Sequence, residues 1–239
     1  MEVIEKVFPN TTEITSLGRL EIGGCDVQNL AQKYGTPFYL FDSEHIENVC
    51  DTYNTEFISR YQNTQVVYGS KAFANKSIFK IILDKGLGVD VVSGGELTLA
   101  ILCGINPEKI YFHGNNKTDL ELELALKHGV KIVVDNVDEI NRISQLCSTE
   151  NPAQILIRLK PEIDAHTHDY IKTGQLDSKF GIDQADLLDV VSLIEVKNTE
   201  TTPITFLGLH SHIGSQIFDV EPFEELVMLM INPFISSKV

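Results

Sequence analysis

From residue 60 onward, short apolar and β-branched runs alternate with longer mixed stretches. The runs fall at 65–70, 88–92, 110–112, 131–134, 155–159 and 205–210. Most are too short and too uniformly apolar for a one-sided sheet, so they are predicted as parallel strands covered on both faces. Helices are predicted between them, with stop signals in place. The stretch 76–84 is closed by Gly86 and 96–103 by Gly104; Thr118 or Asp119 opens a helix that Gly129 ends, and 138–147 follows. The fifth connection is longer, a loop over 160–181 and then a helix over 184–195. Ahead of this repeat, 37–41 reads as a strand, and Asp42 or Ser43 caps a helix running towards Ser59.

Six strands alternating with helices imply right-handed crossovers and a parallel sheet. Both a doubly wound open sheet and part of a (β/α)8 barrel satisfy that pattern. Each polar cluster in the chain directly follows a strand, and a barrel gathers all such strand ends on one face. An open sheet would instead concentrate function at one switch point. The barrel is therefore the predicted fold, with residues 1–42 as a segment before it and 43–239 as the barrel domain.

Composition narrows the class of partner. A formal charge of -15 without any Lys/Arg cluster argues against nucleic acid and against docking on an anionic membrane. The first residues carry acids and no long apolar run, so no signal peptide is expected, and no stretch is apolar for long enough to span a bilayer. Cys25, Cys50, Cys103 and Cys147 are scattered, which reads as free thiols in a reducing cytoplasm.

The strand-end clusters hold the candidate chemistry. Tyr68-Gly-Ser-Lys71 places a lysine where barrel side chains would desolvate it and make it a usable amine nucleophile; the plain alternative is a surface lysine opening a helix. In Asp90-Val-Val-Ser93-Gly-Gly-Glu96 two glycines before a helix allow close approach of an anion, although Ser93 and Glu96 also have the spacing of a capping box. His113-Gly-Asn-Asn-Lys117 has the composition of an ordinary turn. Arg158, within an apolar strand, needs an anionic partner: a ligand's anion or phenolate, or a neighbouring carboxylate. His166 and His168 have HxH spacing without a third ligand, so no metal is expected. His210-Ser-His212-Ile-Gly214-Ser215 ends in a turn suited to phosphate, with a structural histidine pair as the plain alternative.

Taken in order, Tyr-x-x-Lys-Ala, Asp-Val-Val-Ser-Gly-Gly-Glu, His-Gly-Asn-Asn-Lys, Ser-Lys-Phe-Gly and His-x-His-Ile-Gly-Ser-Gln resemble the diaminopimelate decarboxylases. These are fold-type III pyridoxal-phosphate (PLP) enzymes, related to ornithine and arginine decarboxylases and built on the alanine racemase-like TIM barrel. The resemblance covers about Gly35 to Phe223. It implies PLP as cofactor, carried by Lys71, with His212 stacked on its ring and Ser215 on its phosphate. It places Arg158 near the phenolic oxygen, and Asp90 and Glu96 among the acids ordering the lysine and ring. Catalysis would fall to Lys71 and His212, converting meso-2,6-diaminopimelate to L-lysine.

The resemblance further implies a cytoplasmic homodimer of greater length. Two more barrel strands, a Glu-Pro-Gly-Arg motif and a C-terminal β domain are expected beyond the six strands read here. The chain is thus expected to be a fragment, inactive alone. Ornithine or arginine decarboxylation, and a non-catalytic PLP-binding barrel, are the alternative functions.

Overall fold

The computed structural model describes residues 7–161, 180–215, 217 and 219–236, the side chains of 232–236 excepted. It divides into two compact units, residues 1–68 with 73–88, and residues 69–72 with 89–239.

The first unit opens with a small antiparallel sheet, β1 (Glu13–Ile14), β2 (Leu20–Ile22) and β3 (Cys25–Asp26), in sequential order. Asp26 caps helix α1 (Val27–Tyr34) by accepting from the Asn29 N–H at 2.9 Å. Neither the sheet nor α1 was expected from the hydrophobic pattern, although Gly23-Gly24 and Asp26 are turn and cap signals. The stretch 37–41, predicted as a strand, is not one: it carries no ladder pairing, and Phe38, Tyr39, Leu40 and Phe41 are exposed. β-propensity has no force without a neighbour to bond to. Asp42 does cap the next helix, α2 (Ser43–Tyr53), and a π-turn over Asn54–Ile58 extends it. Helix α3 (Lys76–Asp84), capped by Asn75, buries Ile78, Phe79 and Ile82.

Six strands form the second sheet: β4 (Val67–Gly69), β5 (Gly88–Val91), β6 (Ile110–Phe112), β7 (Lys131–Val134), β8 (Ala153–Leu159) and β9 (Ile204–Ser211). They lie in sequential order, and each pair from β5 to β9 is parallel. The helices between them in the second unit are α4 (Gly94–Leu102), α5 (Asp119–His128), α6 (Val137–Leu146) and α7 (Leu187–Lys197), with α8 (Glu221–Ser236) after β9. Val89, Val91, Ile110, Phe112, Ile132, Val134, Ile155 and Ile157 form the fully covered core of the sheet. The expected order of βα units is therefore the observed one.

Two features set what the strand ends present. In β8, Ala153, Ile155, Ile157 and Leu159 are buried while Gln154, Leu156 and Arg158 are only partly covered, so Arg158 belongs to the opposite face from the apolar core. β9 follows that face through an irregularity: Ile155 pairs with Phe206, but Leu156 pairs with Gly208. The extra residue brings His210 opposite Arg158; an uninterrupted register would have put Leu209 there and turned both histidines away. The ring centroid of His210 then lies 4.5 Å from that of His113, which follows β6. Since β7 and β8 separate those strands in the ladder, the sheet of this unit curls as barrel strands do.

Candidate functional site

Three helices begin in the same way, and together they build the rim around the strand ends. Ser93, Thr118 and Asn136 are N-caps whose side chains accept from the backbone N–H of Glu96, Glu121 and Glu139, three residues on. Each of those glutamates then reaches back to the preceding βα unit. Glu96 Oε2 accepts from the Ser70 hydroxyl at 2.6 Å and from the Val92 N–H at 2.9 Å. Glu121 accepts from the Gly94 N–H at 2.7 Å and from the Thr118 N–H and hydroxyl, both at 2.9 Å. Glu139 takes the Lys117 ammonium at 2.7 Å and the Asp135 N–H at 2.9 Å.

This lacing answers two sequence expectations. Of the three helices only α5 completes the reciprocal capping box; Glu96, which has the spacing for one, binds Ser70 and Val92 instead. At Gly94 the helix N-terminus already holds an anion, the carboxylate of Glu121, and a Cβ there would lie 2.9 Å from Glu121 Cγ. Glycine is needed at this position for an internal carboxylate. Burial pushes the Glu121 carboxyl up, but the N–H groups of Thr118 and Gly94, the Thr118 hydroxyl and Lys117 outweigh it and hold it below the usual range.

Inside the rim lie the candidate site residues. Ser70, almost fully buried, donates its N–H to the Asp90 carbonyl at 2.9 Å, and its hydroxyl oxygen, whose proton serves Glu96, lies 2.8 Å from the same carbonyl. That fixes the end of β4 against β5, and Lys71 follows directly. Lys71 is exposed, not desolvated as the sequence suggested, because β4 is an edge strand with β5 as its single neighbour among the described residues. Asp90 Oδ2 stands 3.5 Å from His113 Nδ1. Arg158 donates to Asp135 Oδ1 at 2.9 Å, which is the carboxylate alternative for its partner, and its guanidinium lies over the Phe180 ring at 5.5 Å. Gly181, with φ of 93°, runs so close to β8 that a Cβ would stand 2.9 Å from the Arg158 carbonyl.

His210 is strongly disfavoured as a cation: burial first, then the neighbouring His113 and Arg158, lower its pKa to about 3. His212 lies just past β9 and is exposed, yet its pKa is also lowered, by the protein atoms crowding it and then by Arg158, His113 and Lys71, with Asp90 opposing. Ser215 is exposed in the turn after Gly214. Lys71, Asp90, Arg158 and His212 thus share one electrostatic neighbourhood, while Glu96 is engaged in the rim and Ser215 lies in the loop beyond β9.

Four further groups at the site carry no role in the sequence pattern. His113 and Lys117 sit in a motif that reads as a turn; Asp135 ends β7 as Asp90 ends β5; Glu139 has the Asn-x-x-Glu cap spacing. The last two signals were available to be read. His166, His168, Ser178, Lys179 and Gln216 lie outside the described residues. Among the described residues no group of three or more His, Cys, Asp or Glu is placed to hold a metal ion, and the four cysteines are unpaired.

Three polar atoms at these strand ends are buried without a hydrogen-bond partner among the described residues: Asp90 Oδ1, His113 Nε2 and His210 Nδ1. Buried polar atoms are normally satisfied, and leaving one bare costs about 1–3 kcal/mol. Their convergence, beside an exposed lysine and a held arginine, fits a polar aromatic ligand with phosphate and phenolic groups such as PLP.

Comparison with known proteins agrees. Residues 43–235 match the family described as pyridoxal-dependent decarboxylase, pyridoxal binding domain. The chain is 46% identical over 218 residues to a diaminopimelate decarboxylase of Bacillus methanolicus, covering 90% of this chain and 50% of that protein. It is 46% identical over 208 residues to that of Bacillus subtilis, covering 86% and 47%. Among solved structures, a diaminopimelate decarboxylase from M. jannaschii in co-complex with L-lysine superposes with a TM-score of 0.85 at 32% identity, over 96% of this chain and 54% of that one. The chain spans about half the length of the curated relatives it matches.

Proposed function

Since this chain belongs to the pyridoxal-dependent decarboxylases through their pyridoxal-binding domain, we propose that it is the cofactor-binding part of a diaminopimelate decarboxylase, the enzyme that removes one α-carboxylate from meso-2,6-diaminopimelate to leave L-lysine. Residues 43–239 are read as the barrel portion, preceded by the segment 1–42. The observation that carries the reading is the convergence of unsatisfied Asp90, His113 and His210 atoms beside Lys71 and Arg158. The choice of substrate rests on the relatives named for it.

When bound, PLP supplies an electron sink for the bond to the departing carboxylate. The chain's own groups do the rest. Lys71 offers its amine for covalent attachment from an exposed turn. The Asp90 carboxylate, near His113 Nδ1, favours a proton on that nitrogen and leaves Nε2 as an acceptor. His212, whose imidazolium is disfavoured, presents a neutral ring suited to lie against an aromatic cofactor. Arg158 brings positive charge to an anionic oxygen, and the Gly214-Ser215 turn offers N–H and hydroxyl groups to a phosphate. Glu96 orders the end of β4, and hence the approach to Lys71, through Ser70.

No helix among the described residues is long and apolar enough to cross a membrane. A cytoplasmic homodimer acting on a free amino acid completes the proposal. The test is incubation with PLP, borohydride reduction and peptide mapping, with the pyridoxyl group expected on Lys71. Carbon dioxide release by the whole protein is then compared for diaminopimelate, ornithine and arginine. Label on another lysine overturns the site assignment, and preference for ornithine or arginine overturns the substrate.

A further inference from the structure

Lys117 is 4% exposed, yet its ammonium makes three bonds of 2.7 Å: to the Gly114 carbonyl, the Val133 carbonyl and Glu139 Oε1. Two of these partners are backbone groups on consecutive strand ends. Gly114 adjoins His113 after β6, and Val133 lies within β7, two residues before Asp135. The third, Glu139, passes the connection onward, since its other oxygen holds the Asp135 N–H and Asp135 Oδ1 holds Arg158 on β8 at 2.9 Å. One buried cation thereby fixes the ends of β6, β7 and β8 relative to one another. Asp135 and Glu139 are 5% and 3% exposed, so water does not compete for these bonds.

Such a pair is an expensive way to gain stability alone. Burial lowers the Lys117 pKa even with Glu139 and Asp135 opposing it, and an apolar pair of similar volume often serves a core as well or better. What an apolar pair lacks is direction. An ammonium with three donors sets the carbonyls and the carboxylate at defined angles, and the end of the chain of bonds is the guanidinium beside His210 and His212.

We propose that Lys117, acting with Glu139 through Asp135, is a positioning residue that sets Arg158 and the His113 loop for the cofactor, a role that rests on the function proposed above. The charge on Arg158 alone attracts an anion only loosely. Held against Asp135, it is aimed.

PLP affinity of the whole protein, measured by absorbance and fluorescence titration, tests this in five forms: wild type, Lys117→Met/Glu139→Gln, Asp135→Asn, Arg158→Gln, and Arg158→Gln combined with Lys117→Met/Glu139→Gln. Near-UV dichroism and a thermal melt establish that each is folded. The doubly substituted chain removes both charges together, so no unpaired buried ion remains to unfold it. It and Asp135→Asn are expected to bind PLP about tenfold or more weakly, the loss of one charge-assisted hydrogen bond. In an Arg158→Gln background, adding Lys117→Met/Glu139→Gln is expected to change affinity by less than about twofold, because both changes act on the same contact. Unchanged affinity in a folded Lys117→Met/Glu139→Gln chain overturns the proposal. So does an undiminished loss in the Arg158→Gln background, which would mark a general structural role. A whole wild-type protein that binds no PLP sinks the proposed function itself, and the positioning role with it.

Discussion

The rim of the second unit and the strand ends it encloses are built from the same residue types and treat them in opposite ways. On the rim, the carboxylates of Glu96, Glu121 and Glu139 each bind two or more donors, and each ties its helix to the unit before. Within it, Asp90, His113 and His210 approach one another yet each keeps one buried atom bare. The contrast separates scaffold from site. A satisfied buried network rigidifies the chain that carries it, while an unsatisfied one is a cost the fold retains where another molecule completes it.

Substitution breaks or sharpens that contrast. The largest effect is expected for Glu139→Ala, which leaves the Lys117 ammonium buried without its carboxylate and frees the Asp135 N–H. It should lower unfolding free energy by about 3–5 kcal/mol in a urea titration. A loss below about 1 kcal/mol, the worth of an exposed pair, would mean that the rim is not a scaffold.

Inside, the corresponding experiment is a pH series on His210. An unfolded histidine takes its proton near pH 6.5, whereas folded His210 holds off until about 3. Between those values the unfolded state binds more protons, so stability must fall as pH drops. From pH 7 to pH 5 His210 alone should cost the fold up to about 2 kcal/mol, and His212 adds in the same direction. In His210→Leu the urea midpoint should depend less steeply on pH, by that amount. An unchanged pH dependence would place His210 in water.

Gly94→Ala probes the rim more gently. Alanine favours a helix, but its Cβ displaces Glu121 and breaks the bond to the Gly94 N–H, for a net loss of about 1–2 kcal/mol. Ser93→Ala is expected to cost about 1 kcal/mol, the worth of one cap, and to leave PLP affinity unchanged. Altered PLP binding in Ser93→Ala would show that rim and site are not separable there.

Much of this was legible in the chain. The six strands, the caps at Asp42, Ser93 and Thr118, and the left-handed stop at Gly129 follow from residue type and spacing over a few positions. The motifs that signal the family are local too. Less legible were Lys71, read as desolvated and found exposed, and the segment 37–41, read as a strand and found unpaired. Both readings assumed neighbours that the described fold does not provide.

What the sequence determined by itself is the alternation of strand and helix, the ends of most helices, and the residue types delivered to each strand end. Sterics and hydrogen bonding within one turn of chain decide these, so they act before any long-range contact forms. Tertiary structure decided which of those residues meet. Arg158 meets Asp135, 23 residues away in the chain. An irregularity between β8 and β9, which no local pattern marks, turned His210 towards His113. Lys117, in a segment with the composition of a surface turn, became one of the most buried polar groups. Each outcome depends on which polar groups the closing sheet removes from water together, because a buried charge must find its partner among whatever is enclosed with it.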